Sequence, residues 1–199
     1  WTLKDKHDLI ITLSIGERTE AECALMREAG ANRYLLKHET SNPNLYHKIH
    51  PDMSFENRLA CLKTLKKLGY EVGSGIMVGL PGQSYEDLAN DILLFKELEV
   101  DMVGLGPYIN HHEMPLHDDF EKLGYLTFGQ DFNVEELVYK VLALTRIVNP
   151  DVNIPATTAL ATINNATGRE SALNRGANVV MPNVTALEYR KMYEIYPSK

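Results

Sequence analysis

The chain has 199 residues, 44% hydrophobic and 24% charged, with a formal net charge of −7. That is an ordinary globular composition, sufficient for one domain whose core needs no disulfide or metal staple. The interspersed acids and bases argue against a nucleic-acid surface or a polybasic membrane contact, and no apolar run approaches the roughly 20 residues of a membrane span.

The chain opens on Trp1 with no signal peptide behind it, so it reads as a piece of a longer protein. The pattern predicts a first strand over 9–13 and a turn over 14–17. Thr19 and Glu22 have capping-box spacing, so a helix starts there and runs to about Ala29, where Gly30 stops it. A second strand over 33–37 ends in the polar group His38-Glu39-Thr40-Ser41-Asn42-Pro43. The next helix starts at Ser54, with Phe55, Leu59, Leu62 and Leu65 on one face, and Gly69 ends it. A strand over 70–78 closes on Gly79-Leu80-Pro81-Gly82, and Ser84 caps the following helix. A strand over 101–109 leads into a long polar loop, and a helix over 134–148 exits at Pro150. Residues 152–161 read as strand. Thr167 and Glu170 again have capping-box spacing, in a helix that stops at Gly176. The last strand covers 178–181, before a helix over 187–195. Gly-Ala-Asn precedes a strand twice, at Gly30-Ala31-Asn32 and at Gly176-Ala177-Asn178, a weak internal repeat.

Six strands, each followed by a helix, imply an α/β fold with a parallel sheet and right-handed crossovers. A closed βα (TIM-type) barrel takes eight such units in about 250 residues. Residues 1–199 are therefore expected to be the C-terminal part of one truncated barrel, with about six of its eight units.

In such barrels the site lies at the C-terminal ends of the strands. Those positions hold Thr12, Ser14, Lys37, Glu39, Met77, Gly79, Gly82, Ile109, Thr157, Thr158, Met181 and Asn183. They contain no Ser-His-Asp set and no carboxylate pair, which suggests a binding cavity where a cofactor performs the hard step. Glu39 suits a ligand amine, and Arg58, one turn into the next helix, suits a carboxylate; together they fit an amino-acid zwitterion. His111-His112-Glu113-Met114-Pro115-Leu116-His117 has the wrong spacing for a zinc helix and reads as a solvated loop. Gly79-Leu80-Pro81-Gly82-Gln83 lacks the Lys and Ser/Thr of a P-loop; it is either a tight turn or a close backbone approach to a ligand. Cys23 and Cys61 read as free thiols in a reducing cytosol, so no metal site is expected in this chain.

Several segments resemble the radical S-adenosylmethionine (SAM) family. They are Thr12-Leu13-Ser14-Ile15-Gly16-Glu17, Arg33 through Pro43, Ser54 through Leu59, and Met77 through Gln83. Met102 through Pro107, Ile154 through Ala159, and Gly176 through Asn183 complete the set. The chain is most similar to the group of biotin synthase, 3-methylornithine synthase and the FeFe-hydrogenase maturase HydE, with HydE nearest. The resemblance implies that Glu39 holds the SAM amine, Arg58 its carboxylate, and Met77 and Ile109 the nucleoside, with the Gly79 turn close to SAM. It implies that Thr12, Ser14, Lys37, Thr157, Thr158 and Met181 face a substrate cavity, with Tyr193 and Tyr196 at its base. Lys37 stands where HydE usually has Arg, which keeps the charge but loses the planar fork. The family's C-x-x-x-C-x-x-C motif, which holds a 4Fe-4S cluster, does not occur here, so its ligands are expected upstream of Trp1. The implied activity is formation of a 5′-deoxyadenosyl radical that acts on a small iron-complex substrate during assembly of the hydrogenase cluster. Other hydrogenase maturation proteins are implied as partners, in the cytoplasm, with neither nucleic acid nor membrane. The alternatives are a methylornithine-synthase-like mutase, a biotin-synthase-like sulfur insertion, and a non-catalytic barrel remnant.

Overall fold

The computed structural model describes residues 2–114, 116–123, 128, 132–181, 185–190 and 192. After a short helix α1 (Thr2–Lys6), four strands lie in chain order in one parallel sheet: β1 (Thr12–Leu13), β2 (Arg33–Leu35), β3 (Glu71–Val78) and β4 (Met102–Pro107). A second parallel pair, β5 (Pro155–Ala156) and β6 (Val179–Val180), joins this sheet through Asn153. The Val103 N–H donates to the Asn153 carbonyl at 2.8 Å, and the Asn153 N–H to the Asp101 carbonyl at 2.9 Å. The six strands thus form one consecutive parallel series, the arrangement of a partial βα barrel.

The crossover helices are α2 (Glu20–Glu28), α4 (Phe55–Lys67), α5 (Tyr85–Glu97), α7 (Val134–Val148) and α9 (Gly168–Leu173). Thr19 and Glu22 form the expected reciprocal capping box, and Ser54 caps α4 through the Asn57 N–H. Ser84 and Asp87 form a further capping box on α5. At Thr167 the box does not form, because Asn164 occupies that threonine's hydroxyl at 3.0 Å and α9 starts without a side-chain cap. The expected strand over 152–161 reduces to β5, because Thr157 opens helix α8 (Thr158–Ile163). Two further helices stand where the sequence suggested loop. In α3 (Pro43–Ile49), Asn42 accepts from the Asn44 and Leu45 N–H groups and Pro43 occupies the first turn; α6 (His117–Leu123) follows β4. Of the expected C-terminal helix, α10 (Leu187–Arg190) is described.

Strand alternation divides the two faces of the sheet. Ile76, Val78, Val103 and Leu105 join Leu88, Ile92, Phe95, Val138 and Leu142 in a core between sheet and helices. Tyr34, Leu36 and Val72 pack with Cys23, Leu62 and Leu65 in a second one. The opposite face carries Gly73, Gly75, Gly104 and Gly106. A Cβ at Gly75 would lie 2.0 Å from the Gly104 carbonyl oxygen, so these strands approach too closely for any other residue. The Gly-Ala-Asn repeat has a structural counterpart. The Asn32 side chain accepts the Ile11 N–H at 3.1 Å and the Asn178 side chain accepts the Ile154 N–H at 2.7 Å, each amide tying the preceding strand to the one after it.

Candidate active site

The glycine-lined face borders a cavity of about 660 Å³. Six of the expected residues line it: Lys37, Met77, Ile109, Thr157, Thr158 and Met181. Lys37 enters from the end of β2, and its methylenes lie over the glycines, with Cγ 3.1 Å from where a Gly75 Cβ would be and Cε 3.5 Å from a Gly104 one. Its ammonium forms no hydrogen bond or ion pair among the described residues, so it brings a positive charge to the cavity, with Glu39 close enough to feel it. The Thr157 hydroxyl is buried without a partner, although this residue is the N-cap of α8 and could have turned it onto the helix. A cation and an unpartnered hydroxyl suit an anionic or carbonyl-bearing small molecule.

Glu39 lies just past β2 in a left-handed conformation, φ 66°, which a non-glycine residue adopts only when its surroundings impose it. Here its N–H donates to the Gly75 carbonyl at 2.9 Å and its own carbonyl accepts the Met77 N–H at 3.1 Å. The neighbouring His38 is completely buried, with Nδ1 3.0 Å from the Ser74 hydroxyl and its ring packed on Phe95. Two residues beyond Glu39, the Ser41 N–H donates to Asp91 of α5. One Glu39 oxygen, Oε2, is buried with no partner, and burial pushes the carboxyl above its ordinary range against the pull of Lys37 and Arg58. A ligand ammonium would supply the missing donor and counter-charge.

Arg58 is 6% exposed. Its Nε donates to Glu17 at 2.5 Å, Nη1 to the Lys37 carbonyl at 2.5 Å, and Nη2 faces the Met53 sulfur at 3.5 Å. Three of its five guanidinium N–H groups are thereby engaged.

The remaining expected residues lie elsewhere. Thr12 pairs with Arg33 at the start of β2 and lines a separate cavity of about 250 Å³ at the opposite ends of the strands. Ser14 is exposed and lines neither cavity. Gly79 has φ 88°, and its N–H donates at 2.7 Å to the buried Gln83 side chain, which also takes the Leu80 N–H and donates to the Met77 carbonyl. The turn is thereby satisfied internally. Tyr193, Tyr196 and Asn183 lie outside the described residues.

Sequence reasoning missed three parts of this arrangement. The glycines alternate as Gly73-x-Gly75 and Gly104-x-Gly106, a period-two signal for a strand face emptied to admit a ligand. His111, Glu113 and Met114, read as solvated loop, line the cavity rim. The buried pair His38 and Asp91 is joined only by tertiary contact, so no local pattern announces it. Among the described residues no three His, Cys, Asp or Glu side chains are grouped to hold a metal ion. The two cysteines face the Arg18 carbonyl, and two thiolates do not fit a cluster that needs three.

Residues 2–95 match the model of the radical SAM superfamily. That match makes residues 2–95 a radical SAM domain, and the parallel βα series with its glycine-lined cavity is the corresponding fold. It is 53% identical to the [FeFe] hydrogenase maturase subunit HydE of Thermotoga maritima over 98% of its own length and 52% of that protein. It is 30% identical to 3-methylornithine synthase of Methanosarcina acetivorans, over 94% of its own length and 50% of that chain. A crystal structure of methylornithine synthase superposes with a TM-score of 0.77 at 28% identity, covering 94% of this chain and 52% of that one. The maturase HydG from Carboxydothermus hydrogenoformans shares the fold, with a TM-score of 0.67 at 20% identity. The chain spans about half the length of the curated relatives it matches. Membership implies SAM and a 4Fe-4S cluster as cofactors. No helix among the described residues is long and apolar enough to cross a membrane.

Proposed function

We propose that this chain provides the SAM grip and the substrate cavity of a HydE-like radical SAM enzyme that acts during maturation of FeFe-hydrogenase. The juxtaposition of Glu39 and Lys37 carries this reading. Just past the end of one strand, a carboxylate oxygen without a partner stands two residues from the cavity's one described lysine, whose charge it feels. The first is a receptor for the SAM amine. The second attracts a small anionic substrate, and an iron complex bearing anionic ligands is one such molecule. Similarity to HydE over 98% of the chain favours this substrate class over the lysine of a mutase.

Glu39 and Arg58 bind and orient the amino-acid end of SAM, and the glycine-lined wall excludes bulk water from the space beside Lys37. When bound with its cluster, SAM supplies a 5′-deoxyadenosyl radical to this family. The rim residues His111, Glu113 and Met114 face incoming substrate, and the Thr157 hydroxyl donates to it. Partners among other maturation proteins and a cytoplasmic site of action belong to the same proposal.

The test uses the complete protein with its cluster reconstituted. Glu39→Ala and Arg58→Ala are each expected to abolish release of 5′-deoxyadenosine, whereas Lys37→Ala is expected to retain slow release and lose activation of apo-hydrogenase. Normal 5′-deoxyadenosine release from both Glu39→Ala and Arg58→Ala would overturn the assignment.

A further inference from the structure

Glu39 owes its place to an irregularity in strand pairing. The chain beyond β2 stays beside β3, and the pairing passes from Leu35 opposite Gly73 to Glu39 opposite Ile76. Four steps along one strand are therefore matched by three along the other, which makes a β-bulge in a parallel pair. A bulge interrupts the ladder and re-aims the side chain that follows it. Here that side chain is Glu39, and its φ of 66° takes up the extra residue.

Two buried side chains from outside the loop hold this bulge. Ser74 of β3 donates its hydroxyl to the Leu36 carbonyl at 3.0 Å and accepts the His38 N–H at 3.3 Å, so it serves backbone groups that the interrupted ladder leaves over. The same oxygen lies 3.0 Å from His38 Nδ1, while the His38 ring packs on Phe95. From the other side, Asp91 of α5 accepts the Ser41 N–H, and Asp87, one turn earlier, accepts from the Asn42 amide at 2.9 Å. Glu39 and Thr40 are thus gripped between β3 and α5. Ser74 and Asp91 are both completely buried, and neither lines the large cavity. A position that only filled space between sheet and helix would favour an apolar residue over a carboxyl group.

We propose that Ser74 and Asp91 are positioning residues for the SAM amine site, holding the bulge so that the Glu39 carboxylate meets the ligand. They act through Glu39 rather than on the ligand. This rests on the SAM reading given above. It requires selective damage: once a hold on the bulge is lost, Glu39 relaxes toward ordinary backbone geometry and contact with the amine suffers first.

The experiment measures equilibrium binding of SAM and of its desamino analogue to the complete, cluster-reconstituted protein, with thermal unfolding as a check on the fold. Asp91→Leu keeps the approximate size of the side chain and removes the acceptor for Ser41. It is expected to weaken SAM about tenfold and the desamino analogue by less than about twofold, because only SAM carries the ammonium that Glu39 meets. Asp91→Asn retains an acceptor and is expected to bind SAM within about twofold of wild type. Ser74→Ala is the second variant, with the selectivity expected of Asp91→Leu, and takes its place if Asp91→Leu does not fold. Equal weakening of both ligands, or of neither, would overturn the inference, and so would an Asp91→Asn variant as weak as Asp91→Leu. In each of those cases a Glu39→Gln variant that loses its preference for SAM leaves the SAM reading intact. If Glu39→Gln keeps the wild-type preference, the SAM reading falls and the inference with it.

Discussion

The Nε of Arg58 donates to Oε1 of Glu17 at 2.5 Å, tying the turn after β1 to the first turns of α4. The arginine side chain is 8% exposed and the glutamate 25%. Glu17 is thus the counter-charge that lets the Arg58 guanidinium be buried at the proposed SAM site. Removing one partner of a buried pair leaves the other uncompensated. Glu17→Ala is therefore expected to destabilise the protein by roughly 2 kcal/mol, read as a lower urea midpoint, and to weaken SAM binding at the same time. A variant with wild-type stability and affinity would show that the pair is incidental.

His38 and Asp91 make opposite demands on pH. Burial holds the His38 ring down to about 3, with Arg58 adding to it, and burial raises the Asp91 carboxyl to about 7 against the Ser41 hydrogen bonds. A lowered histidine contributes stability that is present above its unfolded value of about 6.5 and is lost as pH falls toward 3. A raised carboxyl contributes stability that is present below its unfolded value of about 3.9 and is lost as pH rises through 7. Between about pH 4 and 6.5 the two slopes oppose each other. Asp91→Asn keeps an acceptor for the Ser41 N–H, gains a donor near the unpartnered His38 Nε2, and removes one slope. It is expected to raise stability by about 1 kcal/mol at pH 8, with the gain shrinking toward pH 5, as seen in urea midpoints across that range.

The inner glycines differ in what they tolerate. Gly75→Ala would place a methyl 2.0 Å from the Gly104 oxygen, which only a shift of two paired strands can relieve, so a loss of about 3 kcal/mol or more is expected. Gly106→Ala meets the Thr157 hydroxyl at 3.0 Å, where a side chain can give way. It is expected to cost about 1 kcal/mol and to act mainly on substrate turnover by narrowing the cavity. Unfolding curves for the two variants check the order.

Expressed by itself, residues 1–199 present a sheet whose described edge strand β1 pairs only with β2, flanked by Leu9 and Ile10 at 56% and 58% exposure. Unpaired edges of this kind recruit other strands. Size-exclusion chromatography is expected to show association, and a monodisperse monomer with a cooperative thermal transition would contradict this.

The parallel βα order was legible because helices α2, α4 and α5 carry their own caps at Thr19, Ser54 and Ser84. Short strands were harder. Residues 157–161 open on two β-branched threonines, yet Ala159, Leu160 and Ala161 favour a helix, and β5 ends at Ala156 where its pairing with β6 ends. In the candidate site, Lys37, Glu39, Met77, Ile109, Thr157, Thr158 and Met181 could be found by reading the residues at and just past each strand's C-terminal end. Thr12 could not be placed that way, because the level of a strand in the sheet is set by its register with Arg33, a tertiary property.

The HydE-like reading stands or falls on a maturation reaction for apo-hydrogenase from which the HydE component is withheld. The complete, cluster-reconstituted protein is supplied to it with SAM, in parallel with an incubation with lysine. Hydrogenase activity that depends on Glu39 and Lys37, with no methylornithine formed from lysine, is the predicted result. Methylornithine from lysine with no activation of hydrogenase would contradict it.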